Sequence, residues 1–569
     1  MEKFENFFES LSKSERKMYD KVLNQKDTSI SFAFSNSGEK RISSEELKRN
    51  TVLKKLVLVY RKIDDEAMEY LSEALKVNSS LKELNLSSNL FENQGLISLS
   101  NALKINKSLT KINVSYNHFD EKGIKVFSDS LKQNIQLKKV NLSATCFGIK
   151  GVKYISESLK INTNLKSINL SDCEIENEGL RFLLEALKIN SSLKSIVLSK
   201  NLNEHFDSIS EIIKSNNSLE KMDLSSYWIP SEDMEHISDA LMLNSTLKKI
   251  NFSNNKFGDE AIEYLSNCFK KNSTLEKIVL SSNNLTHKGI KLLCHSLVGN
   301  NSLNTLDLED NKIGIDGMKC LSECLSTNKI KEIILSNNKI KDETFKLFAE
   351  NLNSYSSLES LDLRNNQIDS KGIEYLSNSL KTNNSLKSLF LSNNIFKFRD
   401  TTRLLRSLKY NNTLKRFDLH KMDLQKFSFK FLNQFLETNR SIIQLTNPEI
   451  AIDEPPISSF VSYMLNCNRE WNIDEHLKCS KIFKKSVFVF VCCLKRIEKN
   501  LPFRFGKFIL YEIIKRIDRK SFVIFEKKIH FGVLKSLENP TNNKTEKRTT
   551  IKKEKKQRKK RKRKENDSK

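Results

Sequence analysis

The sequence predicts an α/β solenoid in which one strand–turn–helix–turn unit is stacked many times, and three observations predict it. An apolar residue, almost always leucine, returns mostly every 28 positions: Leu53, Leu81, Leu109, Leu137, Leu165 and Leu193, then after 26 residues Leu219, then Leu247, Leu275, Leu303, Ile330, Leu358, Leu386 and Leu414. That makes 14 copies over roughly residues 53–440 of a 569-residue chain. Within each copy apolar residues alternate over nine positions, as in Leu81, Leu84 and Leu86, which is the period of a strand with one buried face. A helical spacing follows, as in Leu96, Leu99 and Leu103.

Each position has a physical role. Eight residues after the leading leucine stands Asn89, Asn117, Asn201, Asn255, Asn283, Asn311, Asn338, Asn366 or Asn394, with Cys173 in one copy. An amide in a tight turn both donates and accepts, so it can satisfy backbone groups and stack on its counterpart in the next copy. A glycine opens the helical half (Gly95, Gly123, Gly151, Gly179, Gly289, Gly317, Gly372), and a polar Asn/Ser turn such as Asn106–Ser108 closes it. A period of 20–29 with the frame L-x-x-L-x-L-x-x-N is the signature of leucine-rich repeats.

The segment GLISLSNALKINKSLTKINVSYNHF (residues 95–119) resembles the ribonuclease-inhibitor-like subfamily of those repeats. The resemblance covers about two-thirds of the chain. It implies a horseshoe with a parallel sheet on its concave face, helices on its convex face and protein partners.

Four regions are expected: an N-terminal cap over 1–50, the solenoid over 51–468, a helical module over 469–535 and a disordered basic tail over 536–569. In the cap, Phe4, Phe7, Phe8 and Leu11 space like a helix, while Ile30, Phe32 and Phe34 alternate like a strand. Terminal repeats of a solenoid need such a cover. Ile442 and Leu445 mark a fifteenth repeat strand. After Trp471 the Asn-rich rhythm stops and two apolar helical stretches follow. One of them, LPFRFGKFILYEII, resembles F-box and SOCS-box segments, which implies an alternative role as substrate receptor of a ubiquitin ligase; a C-terminal cap is the plainer reading.

Residues 544–569 hold 15 Lys/Arg against 4 Asp/Glu, a net +11 of the chain's +26. Such a block cannot bury a core. Inside it, Lys559, Lys560, Arg561, Lys562, Arg563 and Lys564 form a basic run that fits an import receptor, or nonspecific contact with a polyanion. The ten cysteines lack paired spacing and the start MEKFENFFESLSKSERK is charged from its second residue, so an intracellular protein of nucleus or cytoplasm is expected. The longest apolar run, Val487 to Leu494, is far below the ~20 residues a membrane span needs, so no membrane insertion is expected.

No cofactor, metal or catalytic residue is expected. Phosphate-cradling loops, H-E-x-x-H and G-x-S-x-G are missing, and Cys467, His476 and Cys479 lack a fourth zinc ligand. FSNNKFGDEAIEYLS (residues 252–266) is similar to Ran GTPase-activating proteins, which implies a second alternative. Those proteins characteristically end in an acidic region where this chain is basic, and no catalytic position of that family maps onto an Arg or Asn here.

The expected function is therefore non-enzymatic: a scaffold that binds a protein, with acidic features, on the exposed positions of the sheet. Those positions bring forward Lys111, Asn113, Lys139, Asn141, Lys221, Lys249, Asn251, Lys277, Arg364 and Arg416. Strands lie ~4.8 Å apart, so Lys221, Lys249 and Lys277 should form a ladder of like charge. Phe390 and Tyr227 are the few aromatic residues near the strand ends. The basic run carries its own test. Replacing Lys559 to Lys564 with glutamine should move a fluorescent fusion out of the nucleus, and unchanged nuclear accumulation would refute the import reading.

Overall fold

The computed structural model describes residues 29–31, 44–201, 206–395, 397–418, 441–442 and 444–446. All fall in one compact unit, Met1–Glu449; the second unit, Ile450–Lys569, contains the 469–535 module and the basic run and lies outside the described residues.

Among the described residues, 16 strands pair in sequence order into one parallel sheet, β1 to β16. Strands β2 to β15 are the 14 leucine-phased ones, from Lys55–Val57 to Arg416–Asp418. At one end β1 (Ser29–Ser31), around the Ile30 of the cap, pairs with β2. At the other, β16 (Gln444–Thr446) occupies the place predicted for a fifteenth repeat. Each strand is only three residues long, and in β2 to β15 the middle residue points inward: Ile112 in Lys111–Asn113 and Ile250 in Lys249–Asn251 are buried, while their neighbours face out.

A helix follows nearly every strand and packs against the helix of the next repeat. The run includes α1 (Ser44–Arg49), α2 (Asp65–Val77), α3 (Asn93–Ile105), α4 (Glu121–Gln133), α5 (Gly148–Ile161) and α6 (Asn177–Leu187). The core between sheet and helices is continuous because each repeat covers its neighbour's apolar face. Leu96, Leu99 and Leu103 of α3 are completely buried in it.

Glycine at the head of a helix is explained by a close approach. In α4 the amide oxygen of Asn93, one repeat back, accepts hydrogen bonds from Asp120 N–H (3.0 Å) and Gly123 N–H (3.1 Å). A Cβ on Gly123 would lie 2.6 Å from that oxygen.

The predicted asparagine ladder is present. Asn283 Nδ2 donates to the Phe252 carbonyl of the preceding repeat (2.9 Å) and to Ser281 O (3.2 Å). Its Oδ1 accepts from Asn255 N–H and Lys256 N–H, both at 2.9 Å. Asn283→Ala would leave several of these buried groups without partners, each costing roughly 1–3 kcal/mol. The variant should lose about 3 kcal/mol or more in chemical denaturation; a loss below about 1 kcal/mol would mean that water replaces the amide.

Candidate functional site

The outward positions of the strands form one face, and the structure places the predicted residues on it in register. Lys221 pairs with Lys249, and Lys249 with Lys277, so the three ammonium groups occupy successive rungs. Lys221 is exposed, and the other two are half-buried. Burial, then the neighbouring Lys277 and Lys221, pulls Lys249 below the usual lysine range, against the opposing pull of Asp223 and Asp307. The ladder is therefore electrostatically uncomfortable in the free protein.

Other predicted residues are engaged within the chain. Lys111 is ion-paired with Glu83 on the adjacent strand, and that hydrogen bond holds the Glu83 carboxyl below the usual range. Arg364 folds back on Asp362, with Nε at 2.9 Å from both carboxylate oxygens, and its guanidinium lies 5.5 Å from the Phe390 ring centre. Asn113, Asn141 and Asn251 each accept from the backbone N–H two residues ahead at 3.0 Å. That turn consumes the amide oxygen and leaves the NH2 group for other use. In Asn251 the NH2 group donates to Asp223 Oδ2 (3.0 Å). Lys139 and Arg416 are exposed.

Past the lysine ladder the face changes sign. Asp307, Glu309, Asp310 and Glu332 sit on or just after the next two strands, Thr305–Asp307 and Glu332–Ile334. Asn337 Nδ2 donates to Glu309 (2.7 Å) and Ser282 Oγ to Asp310 (2.8 Å). Burial pushes the Asp307 carboxyl up, opposed by the Glu309 N–H and by Lys277.

One aromatic residue sits differently from the sequence reading, and its neighbour was missed by it. Tyr227 is completely buried, edge-on to Phe206. Trp228 beside it is 57% exposed, and Lys256 Nζ stands 4.3 Å from its ring centre. The signal for Trp228 was weak, because strand alternation ends before it. Among the described residues no group of three or more His, Cys, Asp or Glu could hold a metal ion, and no helix is long and apolar enough to cross a membrane.

The model for the family described as Leucine Rich repeat matches residues 77–100, 106–128, 162–184, 243–266, 271–294, 299–322 and 356–377. The chain carries leucine-rich repeats. No curated protein matches it. Among solved structures, the chain is similar to the leiomodin-1 actin-binding site 2, at 26% identity, over 22% of this chain and 75% of that one, with TM-score 0.21. It is also similar to TLR13 in its ssRNA13 complex (19% identity, 64% of this chain and 56% of that one, TM-score 0.38). A third is the Rad7 and Elc1 complex in yeast (17% identity, 69% and 86%, TM-score 0.39). The chain thus spans just over half of the TLR13 chain.

The acidic end of the face yields a pH prediction. A carboxyl whose folded pKa is raised is ionised at a cost near neutral pH, and that cost shrinks as pH falls through the folded pKa and vanishes below the unfolded one. Asparagine fits the same turn in other repeats, so Asp307→Asn should raise the thermal midpoint near pH 7, with the difference closing towards about pH 3. A difference that persists at low pH would assign the effect to packing rather than to charge.

Proposed function

We propose that this chain is a non-enzymatic scaffold of the ribonuclease-inhibitor-like kind of leucine-rich-repeat protein, working inside the cell, whose sheet face binds a protein with an acidic surface. The leucine-rich repeats support an interaction scaffold, and a fold of this kind hosts many unrelated partners. The partner chemistry rests on one observation: Lys221, Lys249 and Lys277 lie on successive strands in register. Like charges on adjacent rungs repel, and an anionic surface converts that repulsion into attraction. Lys139 and Arg416 extend the exposed positive charge. Lys111 and Arg364 need an exchange of partners before they contribute, since Glu83 and Asp362 already hold them.

The basic run Lys559 to Lys564 fits an import receptor as a second, separate contact. Neither the GTPase activator nor the ubiquitin-ligase receptor has an observation in its favour on this face.

The test is the combined change Lys221→Glu, Lys249→Glu and Lys277→Glu. Exposed charge changes usually move stability by less than ~0.5 kcal/mol each; Lys221 is exposed, and the half-buried Lys249 and Lys277 already repel each other, so thermal melting should shift only modestly. Capture of the partners found by proximity labelling should weaken strongly. Raised salt should mimic the change, because exposed charges are screened over ~8–10 Å. Recovery of the same partners by variant and wild type would leave the ladder as solvated surface.

A further inference from the structure

A second surface runs along the edge where helices end and strands begin. The residue immediately before the closing asparagine of the helix is Val77, Ile105, Ile161 and Ile189 in four repeats, exposed by 64%, 55%, 58% and 63%. In the intervening repeat Gln133 takes that place, and Ile135, just past Asn134, is 66% exposed instead. Single exposed apolar residues are ordinary. Here five consecutive repeats each project one aliphatic side chain at the same edge. With helices packed about 8–10 Å apart, the row is roughly 30–40 Å long. Repetition alone does not account for it. The residue changes between Val and Ile, shifts by two positions where glutamine intrudes, and loses its continuity in later repeats, where Ser215, Lys271 and Thr327 alternate with the exposed Leu243 and Tyr410.

Basic side chains border the row on both sides. On the helix side Lys76, Lys104, Lys132, Lys160 and Lys188 each precede it by one residue, or in one repeat by three. Three of them reach back to Glu73, Asp129 and Glu185 one turn earlier. On the strand side stand Lys54, Lys82, Lys138, Lys166 and Lys194, with Thr110 taking the place in one repeat. Of these only Lys194 is in an ion pair, with Glu220, among the described residues. The backbone at this edge has little to offer a peptide. Asn106 Nδ2 donates to Leu75 O (2.6 Å) and Asn78 O (3.1 Å), and its Oδ1 accepts from Ser108 N–H and Leu109 N–H. What projects is aliphatic tips between two rows of ammonium groups.

We infer that this edge docks peripherally on an anionic phospholipid bilayer, the aliphatic row entering the headgroup–acyl boundary and the lysines meeting lipid phosphates and carboxylates. The charge excludes a second copy of the same edge, which would set lysine against lysine. A peptide seeking to add a strand would find here neither a free strand edge nor open backbone groups. A bilayer needs neither, and combined shallow apolar burial and basic charge is what peripheral membrane binding requires.

The test is flotation of the full chain with vesicles of phosphatidylcholine alone or with about one third phosphatidylserine. The basic residues 544–569 will themselves attract anionic vesicles, so the decisive variant keeps every charge: Ile105→Ser, Ile161→Ser and Ile189→Ser together. Wild type should float with the anionic vesicles and hardly with the neutral ones, and the variant should partition about tenfold less at physiological salt. An unchanged melting curve would exclude misfolding. In a separate variant, Ile161→Trp should gain blue-shifted emission with anionic vesicles and be quenched by brominated lipid. Undiminished flotation of the serine variant, or the absence of a blue shift in the Ile161→Trp variant, would overturn the inference. So would loss of a co-purifying protein from the serine variant without loss of vesicle binding, which would make the row a protein-docking edge.

Discussion

The solenoid depends on asparagine amides that hold the turns of the preceding repeat. Three-residue strands form few ladder bonds of their own, and the turns that end them are packed between neighbours where water cannot satisfy the backbone. An orphaned buried polar group costs about as much as a hydrogen bond contributes, or more. Asn117 shows the solution. Its NH2 group donates to Leu86 O (3.1 Å), one repeat back, and to Val114 O (2.9 Å), while its oxygen accepts from Asn89 N–H (3.1 Å). A second series does the same at the opposite end of the strands. Asn134 Nδ2 donates to Leu103 O (2.7 Å), Asn162 Nδ2 to Leu131 O (2.6 Å) and Asn190 Nδ2 to Leu159 O (2.6 Å). Each amide bonds backwards by one repeat, so the two series stitch neighbours together.

These amides also permit backbone conformations that would otherwise favour glycine. The residue just before the strand-end asparagine is left-handed, with φ 57° at Ser88, 55° at Tyr116 and 59° at Asn337. Such a residue costs on the order of 1–3 kcal/mol unless its surroundings hold it in place. The ladder supplies that constraint, which leaves the position free to vary in side chain at the edge of the sheet face. Among the described residues four repeats depart from the rule, with Arg61, Thr145, Cys173 and Tyr227 at the asparagine position, and two of these are consecutive. Thr145 and Cys173 replace the amide, the threonine hydroxyl and the thiol both donating to Leu142 O. Either group can donate as asparagine does, but neither supplies an amide carbonyl as acceptor.

What was legible in the sequence was what repeats. Phase, strand, helix and the first asparagine series follow from spacing, and even the extra strands were visible, at Ile30 as alternation and at Leu445 as a continuation of the repeat phase. The second series read only as polar turns, since a turn asparagine and a bridging one look alike until the preceding helix end is in place. The left-handed residues left no trace, because no glycine marks them. On the face, alternation identified which residues point outward but not what they touch. Lys111 found Glu83 across the strand and Arg364 found Asp362 along it, and those choices belong to side-chain conformation. Tyr227, read only as an aromatic residue near a strand end, is buried for a related reason: a period of two cannot assign inward and outward beyond the end of a strand.

The distribution of charge over the face follows from the same geometry. Strands in register place equal positions ~4.8 Å apart, a distance at which two ammonium groups in water repel by about 1 kcal/mol. A three-rung ladder holds two such contacts, and burial of the middle rung strengthens both. Lysine side chains are long enough to splay, and Asp223, bonded to Asn251, and the Asp307 carboxylate supply compensating charge nearby. The partly buried Asp307 in turn draws stabilisation from Lys277. Each sign thus makes the other tolerable at the boundary between the two sectors. Lys221 is the most exposed rung of the ladder and has Asp223 on its own strand. Aspartates flank both ends of the ladder, so what separates the rungs is solvent access: Lys221 can turn towards an incoming anion at little desolvation cost, whereas the partly buried Lys249 cannot.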